Sequence, residues 1–176
     1  YHEDSSLGES FFGGKMRSFE KISFNQFKKD IVDDIELYNN FNLPKRSTKE
    51  SAGYDFESLI DYILEPSETI KIPLGIKVKL NPGEALLLIV RSSMGFKYNI
   101  RMCNQVGLID QDYYDNPDNE GHMWIKIKNE GAFPFEIKKH DRICQGIIIN
   151  YLTVDNEEKI EKERISGIGS TTEVKK

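Results

Sequence analysis

An aspartate set directly behind an apolar run, in Asn104-Gln105-Val106-Gly107-Leu108-Ile109-Asp110-Gln111-Asp112-Tyr113, is the most unusual feature of this 176-residue chain. A carboxylate half-buried in a hydrophobic hairpin-like stretch is costly unless it is paired or used. Asp110 could position a water and accept its proton, while the Tyr113 ring could pack against a sugar that lacks a hydroxyl. The plainer alternative is a solvated hairpin with exposed acids. Arg91-Ser92-Ser93-Met94-Gly95 delivers a guanidinium and two hydroxyls at the end of another apolar run. A planar fork of donors beside hydroxyls and exposed backbone N–H groups suits phosphate oxygens, although a surface turn would carry the same residues.

Three further clusters interrupt the apolar pattern. Ser51-Ala52-Gly53-Tyr54-Asp55-Phe56 puts Asp55 between two aromatic residues after a small-residue turn, where taken alone it reads as a turn or capping residue. Asp141-Arg142-Ile143-Cys144-Gln145-Gly146 carries an amide, Gln145, that could donate to a phosphate or serve structure alone. Arg164-Ile165-Ser166-Gly167-Ile168-Gly169-Ser170-Thr171 sets a fixed cation ahead of a glycine- and hydroxyl-rich run. A tail that folds over a polyanion would use these residues, and so would a disordered one. The run lacks the spacing of a Walker loop.

The elements expected to hold these clusters are mostly strands. Ile70–Ile72 and Ile76–Leu80 alternate apolar and charged residues, a half-exposed strand interrupted near Pro73 and Gly75. Ala85–Val90 is apolar throughout, as in a strand buried on both faces, and Trp124–Lys128 alternates again before an Asn129-Glu130-Gly131 turn. Phe135–Ile137 and Ile143–Tyr151 supply two more strands. Ahead of these, Ser23 as N-cap and Phe24, Phe27, Ile31 and Ile35 at helical spacing predict one amphipathic helix ending near Tyr38. The expected organisation is a tag remnant or loose extension over 1–15, a helical segment over 16–42, a β-barrel over 43–155 and a flexible tail over 156–176.

Composition narrows the function classes. Lys and Arg total 24 against 29 Asp and Glu, a formal charge of −5, so no overall basic field attracts a nucleic-acid polymer or an anionic membrane. Cys103 and Cys144 show neither a disulfide framework nor zinc spacing, and fit a reducing cytoplasm. The longest apolar runs fall far short of the ~20 residues of a membrane span.

Taken in order, the five clusters resemble the five signature motifs of the trimeric dUTPase family, over Leu43 to Thr171. The resemblance implies a mostly β fold, a jelly-roll type β-barrel, in a homotrimer that shares its active sites, and hydrolysis of dUTP to dUMP and pyrophosphate. It gives Asp110 the role of general base for water attacking the α-phosphorus. Tyr113 would lie against the deoxyribose, and Asn104 with the backbone of Gly107, Leu108 and Ile109 would read uracil. Arg91, Ser92, Ser93 and Gln145 would hold phosphates, with Arg164, Ser170 and Thr171 closing over the γ-phosphate from another subunit. Mg²⁺ would be held mainly by phosphates and water, with Asp55 in its outer sphere.

Three features depart from the family pattern. Asp115 follows Tyr114 where glycine is usual, and a polar insertion runs to Glu120. Ile168 replaces the lid aromatic that stacks on uracil, one residue short of the usual spacing from Arg164. The segment before residue 43 has no counterpart. The nearest alternative enzyme, dCTP deaminase, shares the fold but needs a glutamate on the strand after the third motif, where Trp124–Lys128 offers none. A regulatory protein partner binding the insertion and the extra helix is a reading of another class.

Overall fold

The structure, a computed structural model, describes residues 16–161, 164, 166 and 167. The chain runs β1 (Ser18–Lys21), α1 (Phe24–Asp30), α2 (Ile35–Asn40), β2 (Lys45–Arg46), β3 (Tyr54–Glu57), β4 (Tyr62–Leu64), β5 (Thr69–Pro73) and β6 (Ile76–Lys79). It continues through β7 (Glu84–Val90), α3 (Ser92–Tyr98), β8 (Ile100–Met102), β9 (Gly107–Ile109), β10 (Trp124–Asn129), β11 (Phe135–Ile137) and β12 (Arg142–Asn150). The body is mostly β, as expected, and its strands are distributed over four antiparallel sheets.

The largest sheet has the order β2-β3-β12-β7-β9. Its backbone is the long pairing of β12 with β7, from Cys144 opposite Val90 to Asn150 opposite Glu84. The apolar run of β7 is not buried on both faces: Ala85, Leu86 and Leu88 are buried, whereas Leu87, Ile89 and Val90 remain half-buried. Period-two alternation therefore survives in a sequence that hides it, because a strand places neighbours on opposite faces whatever their polarity. The alternating segment broken at Pro73 and Gly75 becomes β5 and β6, which enter different sheets: β5 pairs with β10 and β6 with β1. Gly75, at φ +69°, makes the turn between them.

The single helix expected over Ser23–Tyr38 is two short helices. Ser23 caps the first, its side chain accepting from Gln26 N at 3.2 Å. Asp34 opens the second, its carboxylate accepting from Leu37 N at 2.9 Å. That local bond competes with helix continuation and restarts the helix in a new register. Ile35, placed on the apolar face by the single-helix reading, is 49% exposed, and Leu37 and Phe41 take the core instead. Phe27 stacks on Phe41 with ring centroids 5.7 Å apart, in the same core cluster as Phe56, Leu59, Ile72 and Ile125. The N-terminal segment and the sheets thus share one core.

Candidate active site

Two groups of polar side chains interrupt this apolar framework, and both sit on the five-stranded sheet. The first forms where β7 ends. Arg91 has extended backbone and leads into α3, which puts Ser92 on the surface and leaves Ser93 half-buried. Arg91 Nε donates to Asp55 Oδ1 at 2.9 Å, and Arg142 Nη1 to Asp55 Oδ2 at 3.3 Å. The Ser47 hydroxyl donates to Asp55 Oδ2 and accepts from Arg142. Asp55 is 9% exposed, on strand β3 and not in a turn or cap, so this double pairing offsets the cost of burying its charge. Among the described residues Arg91 uses only Nε in this way, which leaves its two terminal nitrogens for a ligand.

Gln145 lies opposite Asp55 across the β3–β12 pairing, beside Gly53. A Cβ added to Gly53 would stand 2.4 Å from Gln145 Oε1, so the missing side chain makes room for the amide. A recess of about 420 Å³, lined in part by Arg91, Ser93, His140 and Arg142, opens at this end.

The second group follows β9, the edge strand. Asn104 sits exposed in the turn before it, Gly107 is buried against Leu88, Leu108 is 61% exposed and Ile109 is half-buried. Asp110 leaves the strand without using its carboxylate to cap the short 3₁₀ turn Gln111–Tyr113. Its Oδ2 instead accepts from Arg164 Nη2 at 2.6 Å, while Asp112 Oδ1 accepts from Arg164 Nε at 2.8 Å. The guanidinium stands 5.7 Å from the centre of the Tyr113 ring. Tyr113 is 6% exposed, and burial raises its phenol pKa. Next to Arg164, Gly167 N donates to Asp118 Oδ2 at 3.2 Å. Ile168, Ser170 and Thr171 lie outside the described residues.

The two groups do not meet within one chain. Register places Ile109 opposite Leu86, so Asp110 stands level with Ala85, whereas Arg91 lies at the far end of β7. At ~3.3 Å per residue that separation is roughly 20 Å. Of the residues singled out from sequence, the fold gathers Asp55, Arg91, Ser93 and Gln145 at one end and Asp110, Tyr113 and Arg164 at the other. Sequence reasoning missed Ser47, Arg142 and Asp112. The last two lay inside quoted clusters, and a second charged residue beside the chosen one was the available signal.

Among the described residues no group of three or more His, Cys, Asp or Glu could hold a metal ion. Asp55 is engaged by two arginines and a hydroxyl, and Asp110 and Asp112 share Arg164. With both Asp55 oxygens so engaged, this donor set offers no closed protein cage for a divalent ion; an ion here would have to draw most of its ligands from elsewhere. No described helix is long and apolar enough to cross a membrane.

A family model described as dUTPase matches residues 39–172. The deoxyuridine 5'-triphosphate nucleotidohydrolase of Lactococcus lactis is 44% identical over 140 residues, 78% of this chain and 93% of that protein. The crystal structure of dUTPase from Streptococcus mutans superposes with a TM-score of 0.65 at 31% identity, covering 79% of this chain and 99% of that one. A mutant dUTPase from phage phi11 of S. aureus, described for its coordination of a structural Mg(II) ion, shares the fold with a TM-score of 0.62 at 22% identity, over 84% of this chain and 97% of that one.

Proposed function

The chain belongs to the dUTPase family, and on that premise we propose that it is a dUTP diphosphatase that hydrolyses dUTP to dUMP and pyrophosphate with Mg²⁺, at sites assembled between copies of the chain. The separation of the Asp110 and Arg91 groups carries this reading. A water activated at Asp110 must reach a phosphorus held near Arg91 within bonding distance, and roughly 20 Å of strand forbids that inside one chain. Two copies can bring the Asp110 end of one against the Arg91 end of another, and a closed ring of three such contacts is a homotrimer.

In that site Asp110 orients a water in line with the α-phosphorus. The water oxygen bonds to phosphorus, the bridging oxygen leaves with pyrophosphate, and Asp110 takes the proton. Arg91, Ser92, Ser93 and Gln145 supply donors to the phosphate oxygens, with Asp55 and Arg142 holding Arg91 in place. Arg164, with Ser170 and Thr171, meets the distal phosphate. Mg²⁺ bound to the triphosphate supplies charge neutralisation. The Tyr113 ring lies against the deoxyribose, and Asn104 with the Gly107–Ile109 backbone reads the uracil edge. Strand β10 carries no carboxylate, which is against deamination of dCTP.

Pyrophosphate release with Mg²⁺ across dUTP, dTTP, dCTP and UTP tests the proposal. Turnover confined to dUTP is expected. Comparable rates on dTTP or UTP, or ammonia release from dCTP, would overturn it.

A further inference from the structure

The insertion after the third motif folds as a loop knotted by its own side chains. Asn116, buried, accepts from Asp118 N at 3.1 Å and Asn119 N at 3.2 Å, and its amide donates to Tyr113 O and Asn119 Oδ1, each at 2.8 Å. Asn119 Oδ1 also accepts from Gly121 N at 3.1 Å. Gly121 has φ +83°, and a Cβ there would stand 2.6 Å from Tyr113 O, so the loop closes onto its own start where only glycine fits.

Outside contacts fix this knot to the N-terminal segment. Glu120 accepts from Ser23 N at 2.8 Å and from Ser23 Oγ at 2.5 Å, at the start of α1. Asp115 pairs with Lys77. His122, fully buried, accepts from Gly75 N at Nε2, 2.9 Å, which leaves its proton on Nδ1 for Asp30 of α1 at 2.6 Å. All of this support converges on one phenol. The Tyr113 hydroxyl accepts from Asn119 Nδ2 at 2.9 Å and donates to His122 O at 2.9 Å, so its oxygen is held from two sides.

We propose that Asn119 is a positioning residue for sugar selectivity: it fixes the depth of the Tyr113 ring, and so the room left at C2′, with the 115–120 insertion and α1 as its support. The proposal rests on the reading of Tyr113 as the sugar platform. Excluding one hydroxyl by packing requires the ring to be held to about 0.5 Å. A ring packed in the core and pinned by two hydrogen bonds at its far end meets that requirement. Tyr113 ends the 3₁₀ turn that follows a short edge strand, and neither element anchors its tip. The insertion therefore supplies a hold on the sugar platform in place of the usual glycine turn.

The test compares kcat/KM for dUTP and UTP in the wild type, Asn119→Ala, Asn119→Asp, Tyr113→Phe and the Asn119→Ala/Tyr113→Phe double variant. Asn119→Asp keeps the acceptor that Gly121 N and the Asn116 amide need, so the knot stays closed, but it has no donor for the phenol, whose single proton can serve either the new carboxylate or His122 O, so one of the two bonds is lost either way. Both Asn119 variants are expected to lower the dUTP/UTP ratio by roughly three- to tenfold, the size of one lost hydrogen bond, mostly through better use of UTP. Tyr113→Phe should do the same, and the double variant should be no worse than Tyr113→Phe alone, because the partner is already gone. An unchanged ratio in Asn119→Asp, or additive losses in the double variant, would overturn the proposal. Tyr113→Ala separates the two levels: if it leaves selectivity intact, the platform reading itself fails, whereas selectivity lost there but kept in Asn119→Asp removes only the role of Asn119.

Discussion

Arg164 binds Asp110 and Asp112 at once, with Nη2 2.6 Å from Asp110 Oδ2 and Nε 2.8 Å from Asp112 Oδ1. The cation of the fifth motif therefore occupies the carboxylate oxygen assigned to the attacking water. On the proposed function, a triphosphate entering the site would compete for that guanidinium, so that its binding and the release of Asp110 would be two sides of one exchange.

Asp112→Asn should loosen the hold on Arg164 without touching Asp110. The Asp112 side chain is 59% exposed, so solvent screens the pair and it is worth about 0.2–1 kcal/mol. KM for dUTP is expected to fall by roughly 1.5- to 5-fold with kcat little changed, as read by initial-rate kinetics. A rise in KM would instead place Asp112 in direct contact with substrate.

Asp110→Asn should cost ~10²–10⁴-fold in turnover while a non-hydrolysable dUTP analogue still binds, since the amide orients water but takes no proton. Arg91→Gln should also be nearly inactive. Coexpression of the two variants is the sharper measurement, because a site built from two chains recovers both intact halves in about a quarter of random pairings. Activity of that order in the mixed oligomer is expected. If the mixture stays as dead as its parents, each site draws Asp110 and Arg91 from the same chain.

Gly53→Ala places a methyl group 2.4 Å from Gln145 Oε1, and the flexible amide must yield. Displacing a phosphate donor by about 1 Å should lower kcat/KM roughly tenfold or more, with a melting temperature near that of the wild type. Gln145→Ala should give a similar loss, and the double variant should add little. Full activity in Gly53→Ala would remove Gln145 from the phosphate site.

Glu84 governs an acid-sensitive contact away from the site. Its hydrogen bond from Arg17, aided by bonds from Asn81, lowers its pKa from the usual 4.5 to about 2. A carboxylate whose pKa is depressed by folding stabilises the fold above its ordinary value, and that contribution is lost as pH falls towards the folded value. The wild type should melt higher than Glu84→Gln at pH 7, and the gap should close between about pH 5 and pH 2. A gap independent of pH over that range would mean that the contact does not depend on the charge of Glu84.

The sequence alone determined the mostly β character of the body and about half of its strands, but not β1, which lies in the segment read as helical. Alternation located β5, β6 and β10, and the Pro73 and Gly75 interruption marked a true change of sheet, because side-chain direction and turn geometry are properties of a few adjacent residues. Asp110, Arg91, Gln145 and Tyr113 stood out as candidates for the same reason: each stands where an apolar pattern breaks. Sequence did not reveal that Asp34 restarts the helix with its own side chain, so Ile35 was assigned to the wrong face.

Tertiary structure decided how these pieces relate. The pairing of β9 with β7 sets Asp110 and Arg91 at opposite ends of one strand, and the pairing of β3 with β12 brings Asp55, Arg142 and Gln145 together. The buried contact of His122 with Asp30 ties the N-terminal segment to the insertion. Each of these depends on register between segments tens of residues apart. A shift of one residue in pairing would preserve every local pattern yet turn the side chains to the other face, so only packing of the whole core selects the arrangement.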